Sequence, residues 1–249
     1  MDRAIYIAMS GAKQNMWAQT SHANNLANAN TTGFKADWEQ ARSMPVWGEH
    51  YPTRAFALTE RPATDFNDGP LVETGNDLDI AIQGDGLFAV IGPDGQEAYT
   101  RRGDLTVTAL GQVINGDGYQ LVGGGGPIAL DQFEKIHFGD DGTISIRPLG
   151  AGPDQLDVVD QVKIVNPDVR QMEKGTDGLF RQIGAPPGQV LPAVPELRIV
   201  GGFVEGSNVN SVHELTNILA LTRQYEMQVK MMKTAEDVSK ASERLLQIS

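Results

Sequence analysis

The chain has 249 residues, 40% of them hydrophobic and 21% charged, an ordinary composition for a folded protein with one or two cores. It has no cysteine, which excludes disulfides and thiolate metal sites. The formal charge of the chain is −12: residues 1–32 sum to +1, residues 207–249 to zero and residues 33–206 to −13. No basic stripe is present that could bind a nucleic acid.

The first predicted element is a helix over residues 3–31. Apolar or small side chains recur at spacings of four and three, which indicates a packing stripe of the coiled-coil type. The stripe consists of Ile5, Met9, Ala12, Met16, Gln19, Ala23 and Leu26. At the end of the helix, "TTGF" predicts a left-handed Gly33 past the cap, with Phe34 packing back on the last turn.

The opening of the chain does not resemble a targeting segment. It lacks a cationic region followed by an apolar run and a cleavage site, so we expect no cleaved signal peptide. No stretch approaches the roughly 18–20 apolar residues that span a bilayer, so membrane insertion is not expected.

Four asparagines crowd the end of this helix in "NNLANANTTGFK", although Asn is a poor helix former: Asn24, Asn25, Asn28 and Asn30. Residues three or four apart share a helix face, so the amides of the first three lie together. Contact with another helix is the favoured interpretation for Asn25 and Asn28. For Asn30, and for Asn210 near the other helix, we favour the simpler role of ending or capping a helix.

Between the terminal segments the pattern changes to short strands and turns. Residues 35–69 contain several prolines and are predicted to form an extended connector that is neither strand-rich nor helical. Residues 70–204 alternate apolar runs with turns such as "GPDG" and "NGDG", and "HFGDDGTISI" indicates a hairpin. This composition predicts an all-β middle domain.

The last predicted element is a helix over residues 211–247, which contain no Gly or Pro. Ser211 and Glu214 have the spacing of a capping box. One stripe follows at helical spacing: Leu215, Ile218, Thr222, Tyr225, Val229 and Met232, continued by Ala235, Val238, Ala241 and Leu245. We therefore predict an α+β fold in which the long terminal helices pair as a coiled-coil-like domain, residues 1–34 with 205–249, bracketing the β-domain.

No catalytic, metal or cofactor site is predicted. The four histidines are scattered without an HExxH motif, and Gly123–Gly126 lacks the Lys-Ser/Thr of a phosphate loop. Asp140 and Asp141 fit a hairpin turn better than a calcium loop. A non-enzymatic protein is expected, and a secreted enzyme or carbohydrate-binding module built on the β-domain is the alternative from another class.

Two motifs at opposite ends, "ANNLANANTTGFK" and "EGSNVN", together with the terminal-helix plan, resemble the axial proteins of the bacterial flagellum, the rod and hook family. "LDIAIQGDGLFAV", "AYTRRGDLTV" and "LGQVINGDGYQLVG" are similar to that family's middle-domain signature. Leu87 stands before Phe88 where the family commonly has an aromatic residue. The opening "MDRAIYIAM", the form "EGSNVN" and the length are most similar to proximal-rod members, and distal-rod members are the nearest alternative.

The resemblance implies a structural subunit of the flagellar basal-body rod that self-assembles into the helical drive shaft and transmits torque. It implies type III export without a cleaved signal peptide, assembly in the periplasm, and contacts with itself, with proximal and distal rod subunits, with the rod cap and with the export apparatus. The terminal segments are expected to carry this assembly. The residues concerned are Ile5, Met9, Met16, Asn24, Asn25, Leu26, Asn28, Thr31, Gly33, Phe34, Lys35, Glu205, Gly206, Ser207, Asn208, Val209, Asn210, Leu215, Ile218, Tyr225, Val229, Met232 and Leu245.

Overall fold

A computed structural model describes residues 2–45, 47, 55–150, 152, 155–186 and 188–247. The chain forms two compact units. Unit 1 comprises Met1–Ala29, Asp37–Ala63 and Val209–Ser249, and unit 2 comprises Asn30–Ala36 and Thr64–Asn208.

Unit 1 is built on two long helices in contact, α1 (Asp2–Ala27) and α2 (Ser211–Gln247), which confirms the predicted pair of terminal helices. The buried side of α1 carries small residues, among them Ala8, Gly11, Ala12 and Ala18. A side chain on Gly11 would come within 2.6 Å of the Gln228 amide nitrogen, so α2 approaches α1 closely at this point.

Two strands of unit 1 correct the predicted connector. β1 (Asp37–Pro45) and β2 (Ala55–Thr64) form a two-stranded sheet, of which only Thr64 belongs to unit 2. Of the prolines that suggested an extended linker, Pro45 lies at the end of β1 and Pro62 inside β2, where a two-stranded ribbon leaves backbone groups unpaired and so tolerates them; Pro52 lies outside the described residues. The predicted end of α1 was also too late, because residues 28–33 form turns.

Unit 2 is an assembly of antiparallel sheets, as predicted for the middle domain. Its strands are β3 (Leu71–Glu73), β4 (Ile80–Gln83), β5 (Leu87–Ile91), β6 (Glu97–Thr100), β7 (Leu105–Val107), β8 (Val113–Asn115), β9 (Gln120–Gly123), β10 (Gly126–Pro127), β11 (Phe133–Phe138), β12 (Thr143–Pro148), β13 (Asp157–Gln161), β14 (Ile164–Val165), β15 (Met172–Lys174), β16 (Phe180–Gln182), β17 (Arg198–Gly201) and β18 (Phe203–Glu205). The largest sheet has the order β15-β16-β6-β5-β9-β8-β7, with β10 on β9 and β14 on β5. β11-β12-β13 form a second sheet, and β17 pairs with β4 and β18 with β3.

The core of unit 2 explains why its central strands are almost continuously apolar. β4 and β5 are buried along nearly their whole length, and Ile80, Phe88 and Val90 are fully inaccessible. The "HFGDDGTISI" hairpin is confirmed as β11 and β12, with Phe138 opposite Ile144. The turn residue Asp141 accepts a hydrogen bond from the Thr143 amide, so this aspartate serves the hairpin as predicted.

Candidate functional site

The two sequence motifs meet in unit 2. The Gly33 amide donates to the Glu205 carbonyl at 2.7 Å, and the Asn208 amide donates to the Phe34 carbonyl at 3.3 Å. The Ala36 amide donates to the Asn208 side-chain oxygen at 2.8 Å. The "TGFK" and "EGSN" segments, about 170 residues apart in sequence, therefore pair directly.

Asn208 uses its whole side-chain amide in this pairing. Its oxygen accepts from Ala36, and its nitrogen donates to the carbonyls of Asp65 and Asn67 at 2.9 and 3.1 Å. A carboxylate could not donate and an aliphatic side chain could do neither, so the position requires an amide.

Beneath this pairing lies a buried group of charges, the Glu205 cluster, formed by Lys35, Asp68, Arg101 and Glu205. Lys35 Nζ donates to one carboxylate oxygen of Glu205 at 2.8 Å, and Arg101 Nε donates to the other. Lys35 and Glu205 are each 2% exposed and Arg101 is 3% exposed, whereas the Asp68 side chain is about half exposed. One buried carboxylate thus serves two buried cations.

The remaining donors of both cations are satisfied by backbone carbonyls. Arg101 donates to the Gly86 carbonyl at 2.5 Å, to the Ile82 carbonyl at 3.2 Å and to the Gly84 carbonyl at 2.7 Å. Ile82 lies in β4, and the two glycines lie between β4 and β5. Lys35 donates to the carbonyls of Phe66 and Asn67 at 3.2 and 2.8 Å. The cluster therefore anchors residues 30–36 to the central sheet and to the segment before β3.

The protonation of Glu205 reflects this surrounding charge. Burial alone would raise the pKa of its carboxyl, but the charge of Arg101 and the hydrogen bonds from Lys35 and the Gly69 amide outweigh burial and hold the pKa below its ordinary value. Glu205 is accordingly ionised at neutral pH. Removing it would leave two buried cations with no buried counter-charge.

The Phe34 ring contacts a cation of unit 2. Lys174 Nζ lies 3.8 Å from the centre of the Phe34 ring and donates to the Lys35 carbonyl at 2.7 Å. α1 ends at Ala27, so "TTGF" is not the cap of this helix as predicted, and the contact of Phe34 with the helix end stays a prediction.

Gly33 has the predicted left-handed conformation, with φ of +67°. The reason differs from the one expected, since Gly33 pairs with Glu205 and does not cap α1. A Cβ at Gly33 would lie 2.5 Å from the Arg102 backbone nitrogen, so both the dihedral angle and the space require glycine. Gly206 donates its amide to the Pro70 carbonyl at 2.8 Å and continues the same contact.

The side-chain amides of Asn25 and Asn28 make hydrogen bonds within unit 1. The Asn25 side chain, 2% exposed, donates to the Asp37 carbonyl and accepts from the Asp37 amide, both at 3.0 Å. Its predicted contact with a helix is therefore wrong, because β1 occupies its amide. Asn28 donates to the Asn24 carbonyl one turn earlier at 2.9 Å, and its contact with a neighbouring helix stays a prediction.

The predicted stripe of α1 is only partly buried. Met9 and Met16 are more than half exposed, together with Tyr6 and Trp17, and Lys13 lies 4.6 Å from the Trp17 ring. We call Tyr6, Met9, Lys13, Met16 and Trp17 the exposed face of α1. Ala8, Gly11 and Ala18 are buried and lie one position before Met9, Ala12 and Gln19 of the predicted stripe, so the buried side of α1 is shifted from that stripe. Ile5, Leu26 and Thr31 are partly buried.

On α2, Leu215, Tyr225 and Val229 are exposed, while Ile218 and Met232 are partly buried. The side chain of Leu245 lies outside the described residues. Of the residues before the helix, Ser207 is buried and Val209 is partly buried.

The first turn of α2 is capped by Asn210. Its side-chain oxygen accepts from the amides of Val212 and His213, both at 3.1 Å, as favoured for this residue. The predicted capping box of Ser211 and Glu214 is wrong, because the Glu214 side chain contacts His22 of α1.

Sequence reasoning missed Arg101, Asp68 and Lys174. Arg101 and Arg102 are adjacent, yet Arg101 is buried while Arg102 pairs with Asp104 and Asp117 at 2.7 and 2.6 Å. The available signal was position, since Arg101 directly follows the buried strand β6 and a cation there needs an internal counter-charge.

The described residues contain no group of three or more His, Asp or Glu side chains arranged to hold a metal ion. No helix in the described part of the chain is both long and apolar enough to cross a membrane.

Comparison with known proteins places this arrangement in a class. Residues 5–35 match the family model for flagella basal body rod proteins, residues 81–146 the D1 domain of the flagellar hook protein FlgE/F/G, and residues 200–245 the C-terminal region of the flagellar basal body rod FlgEFG proteins. The first and last of these regions contain the two motifs that meet at the Glu205 cluster.

Full-length relatives agree with these matches. The chain is 38% identical to the flagellar basal-body rod protein FlgF of Escherichia coli K12 over 252 residues, with complete coverage of both chains. It is 33% identical to FlgF of Caulobacter vibrioides, also with complete coverage, and 30% identical to FlgG of Agrobacterium fabrum over 95% of this chain and 97% of that one.

The chain therefore belongs to the flagellar basal-body rod FlgE/F/G family, whose members are structural and not enzymatic. Within the family it is a structural rod subunit of the FlgF type, which confirms the resemblance seen in the two motifs. Membership implies assembly with other rod proteins.

Proposed function

We propose that the chain is a proximal-rod subunit that is exported without a cleaved signal peptide through the flagellum's own secretion channel and assembles in the periplasm. Its neighbours are further copies of itself and other rod subunits of the proximal and distal rod, and the rod cap assists growth. The greater identity to FlgF, 38%, than to the FlgG of Agrobacterium fabrum, 30%, supports the proximal over the distal position.

The observation that carries the proposal is the apolar surface that the helices leave uncovered. The exposed face of α1 presents Met9, Met16 and Trp17, and α2 exposes Val212, Leu215 and Leu219 at helical spacing. Large apolar patches on a folded chain mark protein interfaces. A head-to-tail contact between such faces, repeated with a screw rotation, generates a helical filament.

Charge distribution supports the same use of the helices. Unit 2 holds 22 of the 32 acidic residues and 10 of the 20 basic ones, so its formal charge is −12 and unit 1 is neutral. Helices without net charge can pack against other copies without repulsion, while the acidic unit remains well solvated. A stiff, densely packed tube of helices is suited to transmit torque.

The test is Met16→Glu on the exposed face of α1, with Met16→Leu as the matched control. Burying a carboxylate at an interface is strongly unfavourable, so we expect Met16→Glu to be absent from isolated basal bodies and to abolish swimming, while Met16→Leu supports both. Circular dichroism of both purified variants should match the unaltered chain, because Met16 is exposed in the single chain. Normal incorporation of Met16→Glu would contradict the proposal.

A further inference from the structure

Three ionisable side chains from three elements meet in unit 1. His22 lies near the end of α1, Glu39 on β1 and Glu214 in the first turn of α2. His22 Nδ1 is 2.5 Å from a carboxylate oxygen of Glu214, and His22 Nε2 is 3.7 Å from a carboxylate oxygen of Glu39. The imidazole is about one-fifth exposed and each carboxylate about one-tenth, so the group is largely shielded from solvent.

The hydrogen-bonding groups of this site do not balance without an additional proton. A neutral imidazole has one N–H and can donate to only one carboxylate. The short contact of Nδ1 with Glu214 assigns that proton, so Nε2 presents a lone pair to the Glu39 carboxylate. The facing oxygen of Glu39 is buried and accepts no hydrogen bond from the described residues.

Among the described residues, no Lys or Arg side chain pairs with either carboxylate. Within the described part of the chain, His22 is the only basic side chain within 4.0 Å of either Glu39 or Glu214. One proton on the Glu39 carboxylate would place an O–H donor opposite the Nε2 lone pair, at a separation of 3.7 Å that a small shift could shorten to a hydrogen bond, and would reduce the net negative charge by one.

We propose that His22, Glu39 and Glu214 form a proton-binding site that couples the packing of α1, α2 and β1 to pH. Each side chain comes from a different element, so a bond gained or lost here changes contacts among all three. The site concerns the folding of unit 1 and is independent of the proposed function.

The direction of the coupling follows from Glu39. Burial raises the pKa of its carboxyl above the ordinary 4.5, the charge of His22 opposes this and that of Glu214 adds to it. The folded state then binds more protons than the unfolded one. The contribution of Glu39 to the free energy of unfolding is fully present below pH 4.5, and it is lost as the pH rises through the pKa of Glu39 in the folded state.

The test compares the urea unfolding of Glu39→Gln with that of the unaltered full-length chain between pH 4 and 8. The helical circular dichroism signal of α1 and α2 monitors unfolding. The amide is uncharged at every pH, and it can donate to Nε2 of a neutral imidazole. We expect the unfolding constant of the unaltered chain to rise relative to that of the variant with increasing pH, by at most about tenfold per pH unit, the limit for one proton.

Glu60→Gln is the matched control. Glu60 lies on β2 of the same sheet and pairs with Arg42 at 2.9 Å, both side chains being exposed. This variant should keep the pH dependence of the unaltered chain. Identical pH dependence in the unaltered chain and Glu39→Gln would overturn the proposal.

A second measurement does not depend on any variant folding. The ¹³C resonance of the Glu39 side-chain carboxyl in the unaltered chain, followed by NMR, should titrate with a midpoint above the ordinary 4.5. A midpoint at or below 4.5 would overturn the proposal.

Discussion

Glu205 is the residue on which the meeting of the two motifs depends. Buried ion pairs often add little net stability relative to apolar packing, but removing one partner is costly because the other charge stays buried. Removing the Glu205 carboxylate would leave two buried cations, Lys35 and Arg101, without their shared hydrogen-bond acceptor. The cluster therefore makes the pairing of the motifs specific, whatever its net contribution to the free energy of unfolding.

We predict that Glu205→Gln lowers the free energy of unfolding by about 3–5 kcal/mol, measured in urea at pH 7. Asp68→Asn is the control in the same cluster. Asp68 is about half exposed, so solvent screens its interaction with Arg101 and the expected loss is under about 1 kcal/mol. Equal losses for the two variants would show that burial does not govern this cluster.

At Gly33 both the backbone angle and a close approach exclude a side chain. Gly33→Ala should destabilise the chain by more than about 2 kcal/mol, because the φ penalty adds to an overlap with the Arg102 backbone. Gly118→Ala is the matched control, since φ there is +85° and no atom lies within 4 Å of the added Cβ. Its loss, about 1–2 kcal/mol, measures the φ penalty alone. Thermal unfolding by calorimetry gives both values.

At the scale of elements, the start of α2 depends on one side chain. Asn210 accepts hydrogen bonds from two amides that α2 itself leaves unpaired. Asn210→Ala should cost about 1 kcal/mol, measured by urea unfolding of the helical signal. Ser211→Ala distinguishes this cap from the capping box expected from sequence, and it should have almost no effect. A larger loss for Ser211→Ala would restore the capping box.

The two faces of α1 differ in the size of their side chains. Its buried side is lined by alanine and glycine, which permit the close approach of α2 at Gln228. Its large apolar residues are left on the exposed face and are available to neighbouring subunits. Met side chains are flexible and adapt to irregular surfaces, which suits contact with neighbours of differing shape.

At the scale of the whole molecule, the two units are expected to respond to acid in opposite directions. In unit 2, Arg101 and Arg181 hold the pKa values of Glu205 and Asp177 below their ordinary values, Asp177 chiefly through a hydrogen bond from Arg181. Their stabilisation is present above the ordinary carboxyl pKa values, 4.5 and 3.8, and is lost as the pH falls through the folded values. In unit 1, Glu39 has the opposite sign.

We therefore predict that acidification from pH 5 to pH 3 lowers the calorimetric transition temperature of unit 2. The shift should be smaller in Glu205→Gln, because that variant no longer loses an ionised carboxylate on acidification. A transition of unit 2 that moves to higher temperature in acid would contradict the assigned direction of the Glu205 pKa.

The sequence by itself determined the class of elements and the family. Periodicity and the absence of Gly and Pro defined α2 to the residue, Gly-rich turns defined the β-rich middle, and two motifs at opposite ends identified a rod protein. These features depend only on residues that are close together in the sequence, so they can be recognised without knowing which segments contact each other.

Only the tertiary structure decided which residues act together. The position of Arg101 directly after a buried strand hints that it is buried, but only the fold places it beside Glu205. The sequence predicts only that Asn25 lies on one face of a helix. The fold shows that its side-chain amide is hydrogen-bonded to the backbone of β1. The physical reason is that burial and the pairing of charges depend on contacts between segments far apart in the chain, and local pattern carries no record of those contacts.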